Sequence, residues 1–84
     1  MLKLVFLGKL GDIAPASLAA LERPRGVRTL SDLIHWLSAE QPVLAQAMAA
    51  TTTRLIVNQS VTHDHSLRLT DGDEVAFLPP MSGG

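Results

Sequence analysis

Residues 69–84 read Leu69-Thr70-Asp71-Gly72-Asp73-Glu74-Val75-Ala76-Phe77-Leu78-Pro79-Pro80-Met81-Ser82-Gly83-Gly84. Thr70-Asp71-Gly72-Asp73 is turn chemistry, with glycine free to take positive φ and the aspartates able to bond nearby backbone. Glu74 to Leu78 then reads as a strand that places Val75 and Phe77 on one face and Ala76 and Leu78 on the other. Pro79 and Pro80 cannot donate to a sheet ladder and favour extended polyproline geometry, so they lead the chain away from the sheet. Gly83 and Gly84 carry no side chain, which suits threading through a tunnel until the α-carboxyl reaches another protein's active site. A frayed terminus is the simpler origin of a terminal Gly-Gly, but the rigid Pro-Pro spacer behind a strand makes the combination stronger. The chain thus divides into a folded unit over 1–78 and an extended tail over 79–84.

Upstream, Arg54 to Val57 reads as a strand, and Asn58-Gln59-Ser60 as a tight turn into Val61-Thr62. Leu67-Arg68-Leu69 alternates too briefly to define an element. The clearest helix lies earlier. Thr29 is a good N-cap, and Asp32 three residues on completes a capping-box spacing with Asp in place of Glu or Gln. Leu30, Leu33, Ile34 and Leu37 then form one apolar helical stripe, with His35 pointing away and Trp36 on the flank. The stripe should pack on Leu4, Phe6, Val57 and Phe77. Pro42 ends this helix or opens a second, Ala-rich one over Val43 to Ala50. Arg23-Pro24-Arg25-Gly26 is a turn, Ser17 to Glu22 a possible strand, and Gly8 to Pro15 a loop. Leu2 to Leu7 reads as the first strand, with Leu2, Leu4 and Phe6 facing the core because Lys3 cannot be buried cheaply. The order implies an α+β domain, a mixed sheet covered by one main helix.

At 84 residues, with 46% hydrophobic and 18% charged side chains, the chain is one globular domain with a thin core. Seven Lys+Arg against eight Asp+Glu leave a net charge of −1, too little positive charge for nucleic acid to be the main partner. Without cysteine there is no disulfide framework, thiolate metal site or Cys nucleophile, and a cytoplasmic location fits. Gly8, Lys9, Gly11 and Asp12 interrupt the N-terminal apolar run, so it does not read as a signal peptide. No run approaches the ~20 apolar residues of a membrane span.

Catalytic residue patterns are sparse. There is no Gly-x-Ser-x-Gly elbow and no phosphate-cradling glycine loop. His63-Asp64-His65 holds metal-ligand residue types, but an extended chain would put the imidazoles on opposite sides, and a solvated loop is the simpler expectation; no metal site is assigned. Asp71, Asp73 and Glu74 lack the later bidentate Glu of a calcium loop. The sheet's other face is more informative. Val5 and Leu7 point away from the core, as does Leu78. Leu7, Val61 and Leu78 should therefore form an apolar patch beside the tail, which a partner protein covers.

Val57-Asn58-Gln59, the run from Leu69 to Pro80 and the Gly83-Gly84 ending resemble the small subunit of molybdopterin synthase, of the ubiquitin-like sulfur-carrier family. The first strand and the Thr29-Leu30-Ser31-Asp32-Leu33 helix start fall where that family has them. Met81 stands in place of the more usual Val, and Gly8-Lys9 in place of an Ala and a polar residue. The resemblance implies a β-grasp fold and a subunit that is not catalytic alone, working in a heterotetrameric synthase. It further implies that an ATP-using, E1-like adenylyltransferase activates Gly84 and that a persulfide donor converts it to a thiocarboxylate. The tail of Pro79, Pro80, Met81, Ser82 and Gly83 would then deliver sulfur at the large catalytic subunit to cyclic pyranopterin monophosphate, with no cofactor bound by this chain. Two alternatives share the tail: a ubiquitin-like protein modifier, and a carrier of another pathway such as thiamine synthesis, which Pro79-Pro80 disfavours.

Overall fold

The computed structural model describes residues 1–50 and 52–80. In chain order the elements are β1 (Lys3–Phe6), α1 (Lys9–Ile13), a 3-10 turn (Ala16–Ala19), α2 (Leu30–Glu40), α3 (Pro42–Ala49), β2 (Arg54–Val57), β3 (Ser60–Thr62) and β4 (Glu74–Leu78). The strands form one mixed sheet in the order β1-β4-β2-β3. β4 lies inside it, parallel to β1 with Phe6 opposite Phe77, and antiparallel to β2 with Leu55 opposite Phe77. This is the α+β, β-grasp arrangement.

α2 forms because its first turn leaves no backbone donor unsatisfied. Thr29 Oγ1 accepts from the Asp32 N–H at 3.1 Å, and the Asp32 carboxylate accepts from the Arg28 and Thr29 N–H groups at 2.9 and 3.0 Å. Those bonds, Arg28's first, hold the Asp32 carboxyl below the usual carboxylate range. The N–H groups of Leu30 and Ser31 donate instead to the carbonyls of Leu67 and His65, 2.9 and 2.8 Å away. Segment 65–69 thus acts as a backbone cap for the helix, with a single bridge between Arg68 and Thr29.

The expected stripe is buried. Leu30, Leu33 and Leu37 share one core with Leu2, Leu4, Val57, Val75 and Phe77, while Ile34 is half-buried at its margin. Each fully buried leucine contributes about 1.5–3 kcal/mol relative to exposure. Phe6 stacks on Phe77 with ring centroids 4.8 Å apart. Pro42 opens α3, which adds Leu44 and Met48 to the core. At the β2–β3 turn both Asn58 and Gln59 have positive φ, as a two-residue hairpin of type I′ requires.

Two expectations are corrected. Gly8 to Pro15 is not a plain loop: it contains α1, five residues long, which buries Leu10. Gly11 is required there, since a Cβ would lie 2.8 Å from the Phe6 carbonyl oxygen. Ser17 to Glu22 is not a strand. Alanine is a poor strand former, and the segment coils into the 3-10 turn that buries Leu18 before Leu21 makes one antiparallel bridge to Leu2.

Candidate functional site

The fold brings together the root of the tail and the face of the sheet that points away from the buried core, left partly exposed among the described residues. Residues directly opposite across strands point to the same side, so the ladder register lays out that face in rows. One row runs Val5, Ala76, Ile56, Val61 from edge to edge. The next begins with Arg54 opposite Leu78. The β1–β4 register carried one residue further sets Leu7 beside Leu78, and the Leu7 N–H donates to the Phe77 carbonyl at 3.0 Å. Below the apolar row, Lys3 pairs with Glu74, Nζ to carboxylate 3.5 Å.

Val61 is 54% exposed and Leu7 37%, and Val5, Ile56 and Leu78 are half-buried. Ala76, flanked across the ladders by Val5 and Ile56, is buried. Leu7, Val61 and Leu78 do share one face, but Leu7 and Val61 lie at opposite edges of the sheet. Ile56, which is not among the three residues expected from the sequence, makes the surface continuous between them. The alternation Arg54-Leu55-Ile56-Val57 carried the signal, since Ile56 must oppose the core-facing Leu55 and Val57.

β4 ends beside these rows. Half-buried Pro79 lies against Gly8, whose φ of +55° belongs to the region that favours glycine, and a Cβ at Gly8 would stand 3.1 Å from the proline ring. On the other side, Thr52, Arg54, Leu78, Pro79 and Pro80 line a groove of about 380 Å³. Met81, Ser82, Gly83 and Gly84, the remaining tail residues singled out in the sequence, lie outside the described residues. The turn feeding β4 is braced by Asp73, whose carboxylate accepts from the Thr70 N–H at 2.8 Å and the Asn58 amide at 3.0 Å. These donors hold its carboxyl below the usual range.

The histidine cluster is exposed, and the Asp64 carboxylate accepts from the Ser66 N–H and hydroxyl. Among the described residues, no three His, Cys, Asp or Glu side chains come together as a metal site. Among them also, no helix is long and apolar enough to cross a membrane. What the site offers chemically is an apolar sheet face beside Pro79 and Pro80, the last described residues.

Residues 4–84 match the model of the ThiS family. The chain is 34% identical over 85 residues to the molybdopterin synthase sulfur carrier subunit of Escherichia coli (strain K12), covering all of both chains. It is 32% identical to the subunit of that name in Chlamydomonas reinhardtii, over 99% of this chain and 98% of the other. In three dimensions it is similar to the crystal structure of SAMP1 from Haloferax volcanii, with a TM-score of 0.73 over 99% of this chain and 98% of that one at 21% identity, a likeness of fold. With a family model that spans residues 4–84 and a relative 34% identical over the full length of both chains, the chain belongs to the ThiS family.

Proposed function

We propose that this chain is the sulfur-carrier subunit of a molybdopterin synthase. The observation that carries this reading is the exit of interior strand β4 through Pro79-Pro80 toward Gly83-Gly84, in a chain aligned end to end with sulfur carrier subunits. A carboxylate does not exchange oxygen for sulfur unaided. The Gly84 carboxylate attacks the α-phosphorus of ATP on an E1-like partner, releasing pyrophosphate and forming an acyl adenylate. A persulfide sulfur displaces AMP, and a second thiol cleaves the resulting acyl disulfide, forming a new disulfide and leaving the Gly84 thiocarboxylate. The loaded chain docks on the large catalytic subunit through the face bearing Leu7, Ile56, Val61 and Leu78. Its sulfur then bonds a carbon of cyclic pyranopterin monophosphate, and water cleaves the acyl–sulfur bond, leaving the sulfur on the substrate and returning Gly84 as a carboxylate. Acid–base groups belong to the partners; this chain supplies the acyl group, the reach of residues 79–84 and the docking face.

The test incubates the protein with ATP, the activating enzyme and a persulfide donor and weighs it intact. The expected product is heavier by the difference between sulfur and oxygen, and supports molybdopterin formation with the large subunit. A chain that is never adenylated and never gains sulfur refutes the proposal.

A further inference from the structure

The row at the tail root is not wholly apolar. Arg54 shares the face of Leu78 directly across the β2–β4 ladder, and Leu7 completes that row on the far side of Leu78. Arg54 is exposed and enters none of the ion pairs found among the described residues, which join Met1 with Asp71 and Lys3 with Glu74. It lines the groove beside Pro79 and Pro80, and a second groove holding Thr52, Thr62, His63 and His65. Among the described residues, no carboxylate lines either one. The opposite border of the same face behaves differently, because there Lys3 and Glu74 neutralise each other.

From this asymmetry we infer that Arg54 determines partner specificity, and that the surface docking on this face carries a carboxylate positioned to meet it. The inference rests on the docking role proposed above and names the chemistry of the partner surface. A partner that covers Leu7, Leu78 and Ile56 must also remove water from the adjoining guanidinium. Burying that charge without a counterion is strongly unfavourable, whereas a fork-shaped guanidinium against a carboxylate makes two parallel hydrogen bonds. The occupant is therefore a largely apolar surface of the large catalytic subunit with an Asp or Glu facing the tail root. Since Arg54 stands in the row at the tail root while Lys3 at the opposite border is paired with Glu74, the ion pair also orients the docked chain, setting the tail exit toward the acidic side of the partner.

The experiment measures binding of the full-length chain to the purified large subunit, by calorimetry from low to high salt. Variants are Arg54→Glu, Arg54→Leu and, as a probe of the face itself, Ile56→Asp; circular dichroism confirms that each is folded. Arg54→Glu should weaken binding by roughly 30-fold or more, and Arg54→Leu by a smaller factor, since it leaves the partner's carboxylate unpaired. Both should flatten the salt dependence seen with wild type. If Ile56→Asp weakens binding while Arg54→Glu binds as wild type, or Arg54→Leu binds more tightly, the carboxylate inference is overturned and the docking face stands. If none of the three changes binding, or wild type does not bind at all, the docking reading fails and the inference with it.

Discussion

Replacing Leu78 with aspartate separates the two faces of β4. Leu78 is half-buried on the outer face, whereas its neighbour Phe77 is fully buried and stacked on Phe6. The introduced carboxylate would stand directly across the ladder from Arg54. An opposite-charge cross-strand pair contributes roughly 0.2–1 kcal/mol, against a loss of strand propensity on a scale spanning ~1 kcal/mol. These nearly offset, so Leu78→Asp should change folding stability by no more than about 1 kcal/mol, about 4–8 °C in melting temperature for a domain of this size. Binding is different. A carboxylate forced into an apolar contact, beside an arginine it now neutralises, should cost about 2–4 kcal/mol at a central interface position, about 30- to 1,000-fold in Kd. Phe77→Ala should do the reverse and destabilise by about 3–5 kcal/mol, a large part of the roughly 4–13 kcal/mol available to an 84-residue fold. The assay pairs thermal melts of the isolated chain with calorimetric titration into the large subunit. A Leu78→Asp protein that is unfolded, or that is folded and binds normally, would falsify the assignment of this face.

Adding one residue after Gly84 moves the reacting carbon by up to ~3.5 Å. Since a 1 Å misplacement can cost about a hundredfold, sulfur transfer by intact-mass and product assay should be nearly abolished, and Gly83→Val should act similarly without shifting the melting temperature. Thr29→Ala removes the acceptor for the Asp32 N–H and should destabilise by about 1 kcal/mol in chemical unfolding, with the outer face still able to bind. The carboxyls of Asp32, Asp64 and Asp73 are all held low by hydrogen bonds. Folding therefore favours their ionised forms, so this contribution is complete above the unfolded value near 3.9 and is lost as pH falls through the folded values. Melting temperature should accordingly be flat around neutrality and drop below about pH 4, less steeply for Asp73→Asn; an equal slope in that variant refutes Asp73's part.

α2 was legible because it carries two independent signals, the Thr29–Asp32 cap and a stripe long enough to show its period. α1 was not, for it buries only Leu10 and its glycine serves a close approach to the Phe6 carbonyl that no periodicity announces. Segment 65–69 caps α2 through backbone carbonyls, a role that leaves no side-chain signature. At the site, strand parity alone placed Leu7 and Leu78 on the outer face. The continuity supplied by Ile56, and the place of Arg54 in that row, depend on ladder register between strands far apart in sequence. The packing of Gly8 on Pro79 is likewise a tertiary approach.

β4 lies between β1 and β2, and this has a consequence for the order of biosynthesis. Translation delivers β1 early, yet β1 has no neighbour in the sheet until residues 74–78 arrive to separate it from β2. At roughly 5–20 residues per second, the ribosome finishes the earlier elements while the sheet still lacks its middle. The same late strand contributes Ala76 and Leu78 to the outer rows. A chain that has been released but has not yet seated β4 between β1 and β2 therefore offers a partner no assembled outer surface. Because the last strand completes the outer rows, only a folded chain presents Val5, Ala76, Ile56 and Leu78 together on one face.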